Sequence, residues 1–134
     1  MTRRLLARGA LAALLVAALA VPALAQPARP NYLPYADFAG DDTGQAVTLK
    51  RAYNDAVQRY NQGLYEYHVT LEKHDRLVDL HNRSTDPAEQ KKAREEATAL
   101  RTKLGALRRD VSTMARTVDE AWTRAAAGGV PIRR

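Results

Sequence analysis

The stretch that decides the fold runs from Tyr53 to Arg83: YNDAVQR (53–59), YNQGLYE (60–66), YHVTLEK (67–73), HDRLVDL (74–80), HNR (81–83). Rings recur every seven residues, at Tyr53, Tyr60, Tyr67, His74 and His81. Leu49, Ala56, Gly63, Thr70 and Leu77 fall between them, so the spacing alternates four and three. That is the period of a coiled-coil seam, and it is too short for a solenoid unit. A second seam follows at Ala93, Ala97, Leu100, Leu104, Leu107, Val111, Met114, Val118, Ala121 and Ala125. Between the seams stands Asp86-Pro87, an N-cap followed by a proline at the first helical position, and Glu89 completes a capping box. Gly128-Gly129 stops the second helix, and Pro131 follows the stop.

Two seams joined by a few residues fold back on one another. The fold class expected is all-α, an antiparallel two-helix coiled-coil hairpin with an extended N-terminal arm. The expected partners are Tyr67 with Leu100, Tyr60 with Leu107, Tyr53 with Met114 and Leu49 with Val118. Gly63 and Ala56 then leave room for Leu104 and Val111. The flanks carry opposite charges at matched heights: Arg59 with Asp110, Glu66 with Lys103, Lys73 with Glu96. Such surface pairs give only ~0.2–1 kcal/mol each, and their use is to fix register.

The chain divides into a signal peptide over 1–25, an extended arm over 26–45, the hairpin over 46–127 and a flexible tail over 128–134. The helices are expected over about 43–83 and 87–127, the first with a possible capping box from Asp42 to Gln45. Arg3, Arg4 and Arg8 precede the apolar run from Ala10 to Val21, and Ala23-Leu24-Ala25 is a cleavage site. The run is too short to anchor the chain, so no stable membrane insertion is expected after cleavage at Ala25. The arginine pair suits the twin-arginine route as well as general secretion. The expected location is the periplasm or the exterior. Half of the formal net charge of +6 leaves with the leader, and a mildly basic remainder does not call for nucleic acid. The absence of cysteine excludes disulfides and thiolate chemistry.

In the arm, Pro27, Pro30 and Pro34 enforce extension, and Tyr32, Leu33, Tyr35 and Phe38 give it an apolar side. It is expected to dock, covering Trp122. Asn54, Asn61, His68, Asp75 and Asn82 recur beside the seam and read as its wet edge. The hydroxyls of Tyr53, Tyr60 and Tyr67 are expected to reach the rim.

No phosphate loop or convergent Ser/His/Asp set occurs, so no enzyme and no cofactor are expected. His68 with Glu72 is the one histidine pair at chelating spacing; His74 and His81 lie about 10.5 Å apart on a straight helix. These four residues are the candidates for a metal-sensing hairpin, a minor alternative. Arg101, Lys103, Arg108 and Arg109 form a basic face, read as solvated or as a patch for an anionic partner. The main functional clue is a fourth apolar stripe: Val57, Leu64, Leu71 and Val78. Two helices cannot bury it, and Arg101 and Arg108 lie across from it. These six residues are the expected contact with a protein partner or a second copy. The shape is similar to that of the Spy-type periplasmic hairpin chaperones and their metal-responsive relatives, which implies a stress-factor role as an alternative. The LTxxQ motif of those proteins is absent, so the likeness is one of shape.

Overall fold

The computed structural model describes residues 31–133; the expected leader over 1–25 and the arm residues 26–30 lie outside the described residues. Helix α1 spans Gly44–Arg83 and helix α2 spans Pro87–Ala127. At 1.5 Å per residue each is about 60 Å long. The helices pack against each other along their length, and no strand occurs among the described residues. The fold is the all-α hairpin that the two seams demand.

The ends of the helices are set by local chemistry. Thr43, not Asp42, caps α1, its Oγ1 accepting from the Ala46 N–H at 3.2 Å. Asp42 is drawn away to Lys50, so the box with Gln45 does not form. Asp86 caps α2 through the Ala88 N–H at 2.9 Å, with Pro87 in the first turn. Glu89 turns to the Ser84 hydroxyl instead of closing a box on the cap. At the far end Gly129 adopts φ 72°, the left-handed conformation glycine takes without penalty. The Val130 N–H then reaches the Ala125 carbonyl and the Gly129 N–H reaches that of Ala126. This is a Schellman stop with its apolar contact, because Val130 and Ala125 are buried in one cluster with Ala46.

Beyond that stop the tail, expected to be flexible, packs on the hairpin. Val130 is buried, and Ile132 packs on both core clusters. The Trp122 indole N–H donates to the Ile132 carbonyl at 3.1 Å. The tail residues Val130 to Ile132, rather than the arm, line the hollow beside Trp122.

The core register differs from expectation by about one heptad. Tyr53, fully buried, clusters with Val118 and Ala121 rather than Met114. A Cβ on Gly63 would meet Met114 and Val111, not Leu104. Leu49 lies against Gly128, ten residues beyond Val118, and beside the cluster of Ala46 with Ala125, seven beyond it. A slip of seven carries every seam position onto another seam position, so periodicity alone cannot choose between the two registers. In the structure the Tyr53 ring shares its buried cluster with the small Ala121. On the flanks, the expected pair of Glu66 with Lys103 forms at 2.8 Å, whereas Arg59–Asp110 and Lys73–Glu96 form no ion pair among the described residues. The Tyr53 hydroxyl does not reach the rim; it is buried without a hydrogen-bond partner.

Candidate binding groove on the first helix

The apolar stripe on α1 is the floor of a groove. Val57 is fully buried and Leu64 nearly so, while Leu71 and Val78 are half-buried. The stripe is therefore not a bare face. Its upper half is closed within a single chain, and the arm is what lies there: Ala36 belongs to the cluster of Tyr53 and Val57, and Leu33 packs on it.

Two asparagines hold the arm. The Ala36 N–H donates to Asn54 Oδ1 at 2.7 Å, and Asn54 Nδ2 donates back to the Ala36 carbonyl at 3.0 Å. Asn61 treats Leu33 identically, with both bonds at 2.9 Å. Each carboxamide thus satisfies both backbone groups of one arm residue, as a neighbouring strand does. The arm runs antiparallel to α1, three residues for every seven of the helix. A heptad rises about 10.5 Å, and three residues of extended or polyproline chain cover about 9–10 Å. The match explains the period of both partners. It also corrects the wet-edge reading of Asn54 and Asn61. Asparagine is a poor helix former, and two of them a heptad apart beside an apolar stripe were the signal for this role.

The same three-residue step sorts the arm's side chains. Leu33 and Ala36 point inward. Tyr32, Tyr35 and Phe38, offset by one, are 48%, 53% and 50% exposed. They do not form the apolar docking side expected of them.

A clasp secures the junction of arm and helix. Asp42 Oδ1 and Oδ2 each accept from Lys50 Nζ at 2.8 Å, and Oδ2 also accepts from the Ala39 N–H at 2.8 Å. Lys50 is buried among the first turns of α1. The Lys50 ammonium, helped by the Ala39 N–H, holds the Asp42 carboxyl below the usual carboxylate range. The partners are eight residues apart, beyond any helical pairing rule, and nothing local in the sequence marks them.

The lower groove is differently furnished. Beyond Asn61 the same helix position carries His68, Asp75 and Asn82. His68 Nε2 is buried without a hydrogen-bond partner, and its ring meets Tyr67 edge-on at 5.6 Å. His74 is buried, with Nδ1 3.0 Å from Asp75 Oδ1. His81 Nδ1 donates to the Gln90 carbonyl at 2.9 Å, tying the two helices near the turn. Glu72 pairs with Arg76 rather than His68. The four metal candidates His68, Glu72, His74 and His81 are therefore not brought together, and no metal-holding group of three or more occurs among the described residues. On α2, Arg101 and Arg108 are exposed and form no ion pair among the described residues. No described helix is long and apolar enough to cross a membrane.

Comparison with family models, with curated proteins and with solved structures yields no match.

Proposed function

We propose that this chain is an exported, non-catalytic interaction protein whose α1 groove binds an extended polypeptide segment. The observation that supports this most is the arm itself. Asn54 and Asn61 grip the backbone of Leu33 and Ala36, not their side chains. Recognition of main chain, with a pocket at every third residue, suits a strand-like segment of another protein. The arm is then a built-in ligand, and a partner segment competes with it. Arg101 and Arg108, exposed on α2, would favour a segment with acidic neighbours. A second copy's arm is one such segment, and its exchange gives the homo-oligomer. The leader, with export to the periplasm or beyond, belongs to the same proposal.

The test uses a labelled peptide of residues 26–39 and a chain that begins at Gly40. The peptide binds this arm-deleted chain saturably, at least tenfold more tightly than it binds the chain with its arm in place. Asn54→Leu with Asn61→Leu abolishes the binding. An arm-deleted chain that keeps its helicity and ignores the peptide refutes the proposal.

One observation favours a second reading as a chaperone or stress factor. Tyr32, Tyr35 and Phe38 stand exposed in a row on the docked arm, and Tyr65 is 60% exposed on α1. Aligned exposed aromatics suit unfolded clients. Suppression of a client's aggregation that disappears on replacing all three arm aromatics by serine would favour this reading.

A further inference from the structure

The arm's hydrogen bonds recur at every third residue. The N–H groups of Leu33, Ala36 and Ala39 donate to side-chain oxygens of Asn61, Asn54 and Asp42 in turn. Asp42 takes the third donor; one heptad before Asn54 the helix carries Val47, which has no amide. The outward rings keep the same period, at Tyr32, Tyr35 and Phe38, each about half exposed.

That period separates two kinds of extended chain. In a β-strand successive side chains alternate between faces, so residues three apart point to opposite sides. Leu33 and Ala36 could not then both face α1, nor could three rings a step of three apart all face away. A polyproline II helix has three residues per turn and brings every third residue to one side. Its rise of about 9.3 Å per turn falls only about 1 Å short of a helical heptad. It makes no internal hydrogen bonds, so both backbone groups of one residue are free for one carboxamide.

The two asparagine rungs differ in what they admit. Ala36 is buried in one cluster with Tyr53 and Val57, which are fully buried themselves. A larger side chain there has to displace those two or lift the backbone off Asn54. Leu33 only edges that cluster and is half-buried, so the Asn61 rung takes an aliphatic chain. A rung residue must donate its N–H, which excludes proline. Pro34 and Tyr35, between the rungs, are exposed, and one of them is already proline.

We infer that the α1 groove selects a polyproline II segment of another protein, with an aliphatic residue at the Asn61 rung, alanine three residues later at the Asn54 rung, and proline admitted only between them. Tyr53 and Val57 set the size limit, and the two asparagines set the rule for proline. This rests on the groove reading above. A segment of this kind is extended before it docks, so it loses little conformational freedom on binding. Each chain's own arm is tied in place through Asp42, which holds the Ala39 N–H and is held by Lys50. That tether favours another protein over a second copy as the source.

Isotope-labelled full chain tests this. Amide-to-α-proton couplings of Tyr32, Leu33, Tyr35 and Ala36 are expected to place φ at about −75°. Values of about −120° to −140° identify a β-strand and overturn the inference while sparing the groove. Amide exchange at Leu33 then reads docking of the arm in variants of the chain. Tyr35→Pro leaves it within twofold or slows it, whereas Ala36→Leu and Ala36→Pro each speed it at least tenfold. A tenfold acceleration by Tyr35→Pro, or none by Ala36→Leu, overturns the inference. An unlabelled peptide of residues 31–39 in excess displaces the arm and speeds Leu33 exchange, and its Ala36→Leu form needs at least tenfold more. Equal potency of the two peptides overturns the selectivity, and no effect of either refutes the groove reading itself. Contacts between Asn61 of one copy and Leu33 of a differently labelled copy assign the groove to a second copy and overturn the source.

Discussion

Asn61→Ala and Asn54→Ala measure how much of the arm's hold lies in its backbone. Each substitution deletes two hydrogen bonds of 2.7–3.0 Å in a partly buried setting. A net worth of ~0.5–1.5 kcal/mol per bond makes each side chain worth about 1–3 kcal/mol of arm docking. The two losses do not add in full, because an arm that has already let go has nothing further to lose. Alanine also favours the helix over asparagine by roughly 0.5 kcal/mol, which raises global stability against the local loss. Asn82→Ala, at the same heptad position on an exposed site, calibrates that gain. The assay is native-state hydrogen exchange at the Leu33 and Ala36 amides, the two that donate to the asparagines. A docking loss of 1–3 kcal/mol speeds exchange by about 5- to 150-fold. Denaturant unfolding should show a smaller change. Unaltered exchange at both amides in the double variant would falsify the claim that the carboxamides hold the arm.

Other outcomes follow from single sites. Tyr53→Phe removes a buried hydroxyl that has no partner, so urea melts should show unchanged or higher stability, by up to about 1 kcal/mol; a loss above that points to a hidden partner. Gly63→Ala gains about 0.8–1 kcal/mol of helix propensity and meets only the flexible end of Met114 and a Val111 methyl, so it stabilises modestly, whereas Gly63→Leu overpacks and costs ~1–3 kcal/mol. The Asp42 carboxyl is depressed in the folded chain, so the clasp contributes fully above the ordinary carboxylate pKa and is lost as pH falls through the lower folded value. Acid titration of Ala39 amide exchange should show release of the arm below about pH 4, and Lys50→Met should release it already at neutral pH. Arm exchange that is flat from neutral pH to strong acid counts against the clasp.

The hairpin was legible because two independent signals agreed, the paired heptads and the Asp86-Pro87 break. Register was not, because heptads repeat and a slip of seven preserves every apolar contact type. Tyr53 against Ala121 had to be seen. The stripe of Val57, Leu64, Leu71 and Val78 was legible as a surface that something covers. What covers its upper half was not, since the arm's inward residues are Leu33 and the small Ala36, not its three exposed rings. Ring size argued for the wrong side of the arm; backbone hydrogen bonding chose the other. Asn54 and Asn61 were visible as a repeat, yet an amide seven residues from another reads equally as solvated surface until a strand is found beside it. The packing of the tail was hidden for a related reason. Val130 and Ile132 are too few to mark a packed segment, and their burial depends on the turn that Gly129 makes.

The groove's role in binding is tested most directly at the two side chains that would do it. In the chain beginning at Gly40, the carboxamide nitrogen resonances of Asn54, Asn61 and Asn82 are followed while the unlabelled peptide of residues 26–39 is added. Asn54 and Asn61 are predicted to shift together and saturate with one dissociation constant, while Asn82, exposed near the hairpin turn, stays in place. No shift, or a shift of all three alike, contradicts a groove that binds an extended segment by its backbone.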